Sequence, residues 1–484
     1  MVLCTSTLVL VADTMVLNVA IPSLMRDLDA TPQDIQWIVD SYILVFAGLV
    51  PIAGSLSDRF GRRRVMLVGL VILGVASLAA TFARTPPQVT VGRVGMAVGA
   101  ALVMPSTLSM LITVFTDAKE RRTALTAWSA MAMIGLVAGP VVGGALIARF
   151  WWGMAFLINV PVAAVAIVAV VLLMPESTGP WRRPDPVGAV LALVGMTAVV
   201  WAIVEVPRNG IAHPGILAAG AVGVASLTGF VVWEIRSDAP MVRMSLFRDR
   251  DFAGASLVLV LLSVANGGML LVLSQYLQFV HGYSPMRSGL AFLPVVAMSL
   301  LFDAIGAGPG TRRGNRTTVA VGMLVFAAGL GLLSTVDAAD GYWPVGTALA
   351  MVGAGCGLAI PATVTTLMGA VPAKHVEVGP AVNDTLQQAG AALGVAVLGS
   401  VLAGTYTGNL PAGAAGHISD PELTAAAREA FTGGMAVACT VGACVVTLAA
   451  VVAALVMRDR APSAVHPEPA PAPAEGRELA GAKA

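Results

Sequence analysis

Fourteen long apolar runs constrain what this chain can fold into. The runs cover residues 2–21, 37–56, 65–83, 89–112, 123–147, 153–174, 187–206, 214–233, 252–278, 288–308, 317–336, 344–369, 380–403 and 432–457. A helix needs roughly 20 apolar residues to cross a bilayer, and its backbone amides are then satisfied internally. The chain is only 11% charged, whereas soluble domains carry about 25% charged residues. We therefore expect an all-α integral membrane protein with 14 transmembrane helices.

The distribution of lysine and arginine sets the predicted orientation. With the N-terminus inside, cytoplasmic segments hold 21 of the 28 basic residues and external segments hold 6. Because positive residues accumulate in cytoplasmic loops, both termini are predicted to be cytoplasmic. The formal net charge of +1 gives no reason to expect a nucleic-acid partner. Residues 458–484 are rich in proline, alanine and glutamate, which predicts a disordered cytoplasmic tail.

Two cytoplasmic loops indicate an internal repeat. GSLSDRFGRRR (54–64) joins the second and third runs, and AGPGTRRGNRT (307–317) joins the tenth and eleventh. Basic loops that contain glycine are common, so chance similarity is the alternative explanation. A shift of 253 residues aligns Arg59 with Arg312, Gly61 with Gly314, and Arg63 with Arg316.

The repeat predicts the organisation of the whole chain. It places a six-helix half at 1–174, two inserted helices at 187–233 and a second six-helix half at 252–457, followed by the tail at 458–484. Halves related by a repeat are the architecture of carriers that work by alternating access.

Several segments resemble motifs of the major facilitator superfamily. GSLSDRFGRRR resembles its signature loop between spans 2 and 3, VGRVGMAVGA (91–100) its span 4 arginine motif, and IGLVAGPVVGG (134–144) its span 5 Gly-Pro motif. Further matches are nearest to the quaternary-ammonium branch of the fourteen-span drug:proton antiporters: DTMVLNVAIP (13–22), WIVDSY (37–42), FLINVP (156–161), SQYLQFVHGYSPMRSGLAFLP (274–294) and VGPAVNDTLQQAGAALGVAVLGS (378–400). The resemblance implies the major facilitator fold, with two six-helix halves and two extra central helices. It also implies proton-coupled export of amphipathic, often cationic drugs.

Ionisable side chains inside the apolar runs are the candidate coupling residues. An ionised group at membrane depth costs at least a few kcal/mol. A carboxyl group in a low dielectric binds a proton near neutral pH, whereas a nearby cation favours its ionised form, so proton and cargo compete for one site. Asp13 lies deep in its run and is the expected centre of this exchange. The predicted proton-coupling and substrate residues are Asp13, Asp40, Arg93, Asp303 and Asp384.

Structural roles remain alternatives for these charged residues. Arg93 can extend to the membrane surface, and Asp40 and Asp384 lie near the ends of their runs. Glu205 is expected to be a solvated residue at the outer interface. The resemblance implies that Arg93 couples to proton movement and that Asp303 recognises cations.

Two residues depart from the family pattern. The family usually has glutamine three residues after the span 4 arginine, and Met96 stands there in this chain. We therefore expect Arg93 to lack a polar partner. Gln388 lies where the span 13 motif normally offers a glutamate, which argues against a strong preference for divalent cations.

The glycine-rich motifs are the predicted conformational elements. The resemblance implies that the loop between spans 2 and 3 latches the two halves together in the outward-facing state. It also implies that the span 5 motif prevents proton leakage. Solvation of a basic loop and ordinary packing of small residues are the structural alternatives. These residues are Gly54, Asp58, Arg59, Gly61, Arg62, Gly135, Gly139, Pro140, Gly143 and Gly144.

Other classes of function are less consistent with the sequence. A dedicated exporter of one self-made metabolite or antibiotic stays an open alternative to broad drug export. A polytopic membrane enzyme is remote, because the sequence has no HExxH or GxSxG and no histidine inside a run. No CxxC or Cys/His spacing predicts a metal, and no cofactor is expected. We expect a monomer in the plasma membrane whose partners are small amphipathic molecules, protons and the lipid bilayer.

Overall fold

A computed structural model describes residues 13, 16, 17, 19–114, 135, 139, 141–174, 176–178, 185–237, 240–306, 314–372, 378–410 and 421–458. The first helices in chain order are α1 (19–27, with 13, 16 and 17 also helical), α2 (Pro32–Phe60), α3 (Arg62–Thr81), α4 (Pro86–Val114), α5 (141–149), α6 (Met154–Leu157), α7 (Asn159–Leu173), α8 (Pro186–Asn209) and α9 (Pro214–Arg236). A 3₁₀ helix follows at Met244–Arg248. The remaining helices are α10 (Arg250–Phe279), α11 (Pro285–Ala291), α12 (Leu293–Gly306), α13 (Asn315–Leu333), α14 (Tyr342–Gly369), α15 (Val378–Asn409) and α16 (Pro421–Val456).

The helices confirm the predicted all-α membrane fold. Within the described residues, eleven helical segments are long and apolar enough to cross a membrane, and the bent α2 makes a twelfth. Each coincides with one of the predicted runs. The first and fifth predicted runs lie largely outside the described residues, so the count of fourteen stays a prediction, and the predicted tail from 459 onward also lies outside them.

Three spans are interrupted, which the run lengths did not predict. Helix α2 bends by 51° between Val50 and Ile52. The sixth span is broken at Ile158 and the tenth at Phe292, each a few residues before a proline. Proline lacks the amide hydrogen that the carbonyl four residues earlier would accept, and its ring crowds that carbonyl. The amide hydrogens missing at Pro51, Pro161 and Pro294 therefore account for the three interruptions.

The helices before and after the inserted pair pack in the same pattern. Helix α4 packs on α2 and α3, as α14 packs on α12 and α13; likewise α3 packs on α7, as α13 packs on α16. We call α1–α7 the N-terminal group and α10–α16 the C-terminal group. One hydrophobic core, which includes Leu70, lies mainly in the N-terminal group and also takes in four residues of α10 and α15, whereas a second core, which includes Phe326, lies mainly in the C-terminal group. The domain boundaries predicted from the repeat remain predictions.

The two repeated loops share an unusual backbone conformation. Gly61 has a φ of 102° and Gly314, its counterpart after the shift of 253 residues, has a φ of 93°. Each glycine directly precedes a helix, α3 or α13. Residues with a side chain rarely adopt this conformation. Arg312, which the shift aligns with Arg59, lies outside the described residues.

Replacing Gly61 with alanine is expected to destabilise the fold by about 1–3 kcal/mol from backbone strain, and the Glu176 carboxylate must also move away from the Arg63 amide that donates to it. A Cβ at this position would lie 2.5 Å from Oε1 of Glu176. Gly210→Ala is the matched control, because Gly210 has a φ of 76° and no atom within 4 Å of the added Cβ. Thermal unfolding of purified protein in detergent measures both variants. A Gly61→Ala variant as stable as Gly210→Ala would contradict the contact with Glu176.

The inserted helices α8 and α9 form a hairpin beside the two groups. Helix α8 packs on both α2 and α15, whereas the described contacts of α9 are with α8 and the 3₁₀ helix. Buried carboxylates close one end of this hairpin. Asp185 accepts hydrogen bonds from the Gly188 amide and the Trp233 indole, both at 2.9 Å, and Glu234 accepts one from the Val242 amide at 3.0 Å.

The two groups touch at one end of the bundle. We call the end that carries Arg62–Arg64 the basic end. Toward the opposite end, Nε2 of Gln278 in α10 donates to the carbonyl of Val19 in α1 at 3.2 Å. Nε2 of Gln36 in α2 donates to the carbonyl of Val395 in α15 at 3.5 Å. The structure thus joins the N-terminal and C-terminal groups on this side of the bundle.

Candidate functional site

A buried ion pair lies at the centre of the N-terminal group. Nη1 of Arg93 in α4 lies 2.6 Å from Oδ2 of Asp13 in α1. The two side chains are only 1% and 2% exposed. Burial of both charges is costly, and their mutual attraction offsets that cost only when further hydrogen bonds complete the arrangement.

Neighbouring helices provide those further interactions. Nδ2 of Asn159, at the start of α7, donates to Oδ1 of Asp13 at 2.5 Å. Nε of Arg93 donates to the carbonyl of Ile38 in α2 at 3.3 Å, and the guanidinium carbon lies 4.1 Å from the centre of the Tyr42 ring. We call Asp13, Tyr42, Arg93 and Asn159 the Asp13–Arg93 centre. Four helices therefore hold the pair in place.

The expectation that Arg93 lacks a polar partner is wrong. Met96 is fully buried and contributes to the hydrophobic core, while Asp13 supplies the interaction from another helix. In the structure, the guanidinium of Arg93 lies beside Asp13 and compensates its negative charge.

Asp40 has a very different environment from Asp13. It lies in α2 with no exposed surface, and neither carboxylate oxygen has a hydrogen-bond partner among the described residues. One turn earlier on the same face, Gln36 is also buried and its Oε1 is unpartnered. A buried, unpaired carboxylate costs several kcal/mol in the ionised form. Asp40 thus lacks the charge compensation that Arg93 gives to Asp13.

The remaining predicted acids lie apart from the centre. Asp303 is half-buried in α12, and Asp384 is half-buried near the start of α15, where Nδ2 of Asn383 donates to it at 3.0 Å. Neither is hydrogen-bonded to the Asp13–Arg93 centre within the described part of the chain. Glu205 accepts from Nδ2 of Asn209 at 2.9 Å near the end of α8. The structure thus brings together Asp13 and Arg93, but not the acids of the C-terminal group.

The basic segment 54–64 is held against other helices of the N-terminal group. Asp58 accepts hydrogen bonds from Nη2 of Arg62 at 2.9 Å and from Nε of the same residue at 3.1 Å. The Arg62 amide donates to the carbonyl of Ser177 at 2.9 Å, and the Arg63 amide to Oε1 of Glu176 at 3.1 Å. These contacts connect the start of α3 to the segment after α7. The predicted latch between the two groups stays a prediction.

The remaining motif residues contact neighbouring helices closely. Gly54 faces Pro105 of α4, and the guanidinium of Arg59 lies 5.0 Å from the Phe60 ring centre. A Cβ on Gly143 would collide with Val16 of α1. A Cβ on Gly144 would lie 2.6 Å from the amide nitrogen of Met286 in α11, so this glycine permits contact between the two groups. Gly135 and Gly139 are buried and helical, and Pro140 lies outside the described residues.

Sequence reasoning missed Asn159 and Tyr42 as members of the centre. Asn159 is the one polar residue in the predicted run 153–174, a signal that would have singled it out. Tyr42 follows Asp40 by two residues, which places it on a different face of α2. Nothing in the local pattern shows that this face meets Arg93.

Comparison with known proteins gives consistent relationships along the chain. The Major Facilitator Superfamily profile matches residues 3–395. The chain is 34% identical to the multidrug efflux pump LfrA of Mycolicibacterium smegmatis, over 92% of this chain and 88% of that protein. It is 32% identical to the methyl viologen resistance protein SmvA of Salmonella typhimurium, over 83% of this chain and 82% of that protein. It is 30% identical to the tetracenomycin C resistance and export protein of Streptomyces glaucescens, over 96% of this chain and 91% of that protein.

Solved structures share the fold at lower sequence identity. The peptide transporter PepTSo, of the POT family, aligns with a TM-score of 0.67 at 17% identity, over 94% of this chain and 96% of that one. A bacterial homologue of the human lysosomal transporter Spinster aligns with a TM-score of 0.67 at 16% identity, over 95% of this chain and 98% of that one.

Proposed function

Because the chain belongs to the Major Facilitator Superfamily, we propose that it exports amphipathic, often cationic compounds across the plasma membrane in exchange for protons. The names of relatives that match most of the chain, a multidrug efflux pump and a methyl viologen resistance protein, support export of such compounds. The excess of basic residues in alternate loops supports a cytoplasmic position for both termini and for the basic end.

The environment of Asp40 is the observation that carries the proton-coupling proposal. Its carboxyl group is fully buried and has no partner among the described side chains. Binding a proton removes the cost of burying that charge, and binding a cation compensates it. Proton and cargo therefore exclude each other at Asp40, and alternating exposure to the two sides converts this competition into exchange.

The Asp13–Arg93 centre has a second role in this proposal. Asp13 is held by Arg93 and Asn159, so it responds to changes in the relative positions of α1, α4 and α7. Movement of these helices would separate the pair and expose Asp13 to a proton or cation. Asp303 and Asp384 are proposed to supply further negative charge from the C-terminal group, with Asp303 contributing to cation recognition.

The proton gradient supplies the energy for such exchange. Inward movement of one proton across 100 mV releases about 2.3 kcal/mol, and outward movement of a singly charged cation costs the same amount, so the pH difference drives a one-for-one exchange. Since about 1.4 kcal/mol corresponds to a factor of ten, each unit of pH difference supports a cargo gradient of about tenfold.

Transport by inside-out membrane vesicles tests the proposed function. With an acidic lumen, vesicles that contain the protein should accumulate ethidium, a fluorescent cation, against its gradient. Vesicles without the protein and vesicles treated with a protonophore are the controls. Full accumulation after the proton gradient has collapsed would rule out proton coupling.

Gly144→Ala is expected to slow this transport about tenfold. The added Cβ would meet backbone atoms of Pro285 and Met286 at 2.7 and 2.6 Å. Overpacking costs about 1–3 kcal/mol, which disfavours the conformation in which α5 and α11 touch. Gly408→Ala is the control, because a Cβ there has no neighbour within 4 Å. Equal ethidium transport by the two variants would show that this contact is dispensable.

Dedicated export of one endogenous antibiotic is the second candidate function. It is favoured by the similarity to the tetracenomycin C resistance and export protein, which spans 96% of this chain. A susceptibility panel on cells with and without the protein separates the two candidates. Resistance to many unrelated cations supports broad drug export, whereas resistance to a single natural product supports the dedicated exporter.

A further inference from the structure

We propose that the inserted helix α8 is anchored to α15 through Ser400, moves with the C-terminal group, and slides along α2 during each transport cycle. This inference rests on the proposed function, since it concerns the movement by which cargo crosses the membrane. It starts from the position of α8, which packs on both α2 and α15 and so spans the junction between the two groups.

A proline creates the attachment point on α8. Pro207 lies inside the helix and has no amide hydrogen. The carbonyl of Ile203, four residues earlier, therefore lacks the donor that an α-helix normally provides. A backbone carbonyl in a membrane needs a hydrogen-bond partner, because lipid offers none.

Ser400 of α15 supplies that hydrogen bond. Its Oγ donates to the carbonyl of Ile203 at 3.0 Å, and the serine is only 8% exposed. One turn later in α15, Gly404 permits close approach: a Cβ there would lie 3.6 Å from the Cβ of Pro207. A directional hydrogen bond and close packing thus connect α8 to the C-terminal group at one place.

The described contact between α8 and α2 is of a different kind. Leu193 of α8 packs against a hydrophobic cluster that includes buried residues of α2 such as Phe46. Opposite Leu193, a Cβ on Gly48 would lie 3.4 Å from the Leu193 Cβ. Apolar contact is non-directional, so this surface tolerates sliding better than the bond to Ser400 does.

Alternating access requires the two groups to move relative to each other, so α8 cannot retain both contacts. The contact with α15 includes a directional hydrogen bond and the contact with α2 is apolar, so the contact with α15 is the one retained. Helix α8 keeps its bond to α15 and slides over α2, and it covers the junction between α2 and α15 against lipid in both conformations.

Two engineered disulfides test this assignment in the full-length carrier, in a parent whose four native cysteines have been replaced by alanine. Pro207→Cys with Gly404→Cys links α8 to α15, and Gly48→Cys with Leu193→Cys links α8 to α2. The Cβ separations of 3.6 and 3.4 Å are close to the range of about 3.5–4.5 Å found in disulfides. Each oxidised variant is assayed for ethidium transport before and after reduction.

The link to α15 should leave transport within twofold of the parent. The disulfide between α8 and α2 should lower ethidium transport at least tenfold, and chemical cleavage of that disulfide should restore transport. Arrest by the α15 link, or full transport with the α2 link, would overturn the proposal, as would failure of either pair to form a disulfide. A cysteine-free parent without ethidium transport would instead count against the proposed function.

The anchor itself is tested by a double-mutant cycle. Ser400→Ala leaves the Ile203 carbonyl without either donor, so the thermal midpoint should fall by a few degrees. Adding Pro207→Ala restores a backbone amide within α8, and the double variant should recover that midpoint. Ser400→Thr, which keeps the hydroxyl, should behave like the parent. Additive losses in the double variant would show that Ser400 does not act through this carbonyl.

Discussion

Asp40→Asn should abolish uphill export of ethidium while leaving downhill movement of the dye intact. Asparagine has nearly the shape of aspartic acid, but it neither releases a proton nor offers a negative charge to a cation. Both Asp40 oxygens are unpartnered among the described residues, so the change breaks no hydrogen bond there. The carrier should still change conformation, but cargo movement would no longer be linked to the proton gradient.

Vesicle transport with and without a pH gradient measures this effect. Asp40→Asn vesicles should equilibrate ethidium at the same final level in both conditions, whereas the parent should concentrate it tens-fold when the gradient is present. Glu205→Gln is the matched control, because Glu205 lies near the end of α8 and bonds only to its neighbour Asn209 among the described contacts. Gradient-dependent accumulation by Asp40→Asn would disprove the assigned role.

The contrast between Asp40 and Asp13 shows what the sequence predicts about a buried charge. Run length and hydropathy predict that both acids lie inside membrane helices, because an apolar segment of this length has few other stable arrangements. The partner of each acid depends on tertiary packing. Asp13 and Arg93 are 80 residues apart and meet because α1 and α4 lie side by side. Among the described residues, Asp40 remains unpaired because the face of α2 that carries it meets no positively charged group there.

Glycine and proline positions explain why some other features could be predicted from the sequence and which ones were missed. The shift of 253 residues predicted that Gly61 and Gly314 are equivalent, and their positive φ values agree, since few other residues tolerate that conformation. The interruptions at Ile158 and Phe292 were missed, although Pro161 and Pro294 mark them. The contact of Ser400 with α8 was also missed, because it joins segments almost 200 residues apart.

Removal of either charge of the Asp13–Arg93 pair should destabilise the protein by about 3–5 kcal/mol, because the remaining charge stays buried without a counter-ion. Asp13→Asn leaves the guanidinium uncompensated, and Arg93→Met leaves the carboxylate uncompensated. The double variant Asp13→Asn with Arg93→Met removes both charges and should regain most of the parent's thermal stability. Asp58→Asn is the control, since its i,i+4 pair with Arg62 keeps 26% and 13% of the two side chains exposed, and such helical pairs contribute only about 0.2–0.5 kcal/mol.

Transport by the double variant separates a structural role of the pair from a coupling role. If the pair served only to satisfy two buried charges, the stable double variant would concentrate ethidium as the parent does. If Asp13 exchanges Arg93 for a proton or cation during the cycle, the double variant will fold but fail to concentrate the dye. We expect the second result, because a buried ion pair adds little folding free energy compared with apolar side chains of similar size. Stability alone would therefore not require a pair of opposite charges whose side chains are only 1% and 2% exposed.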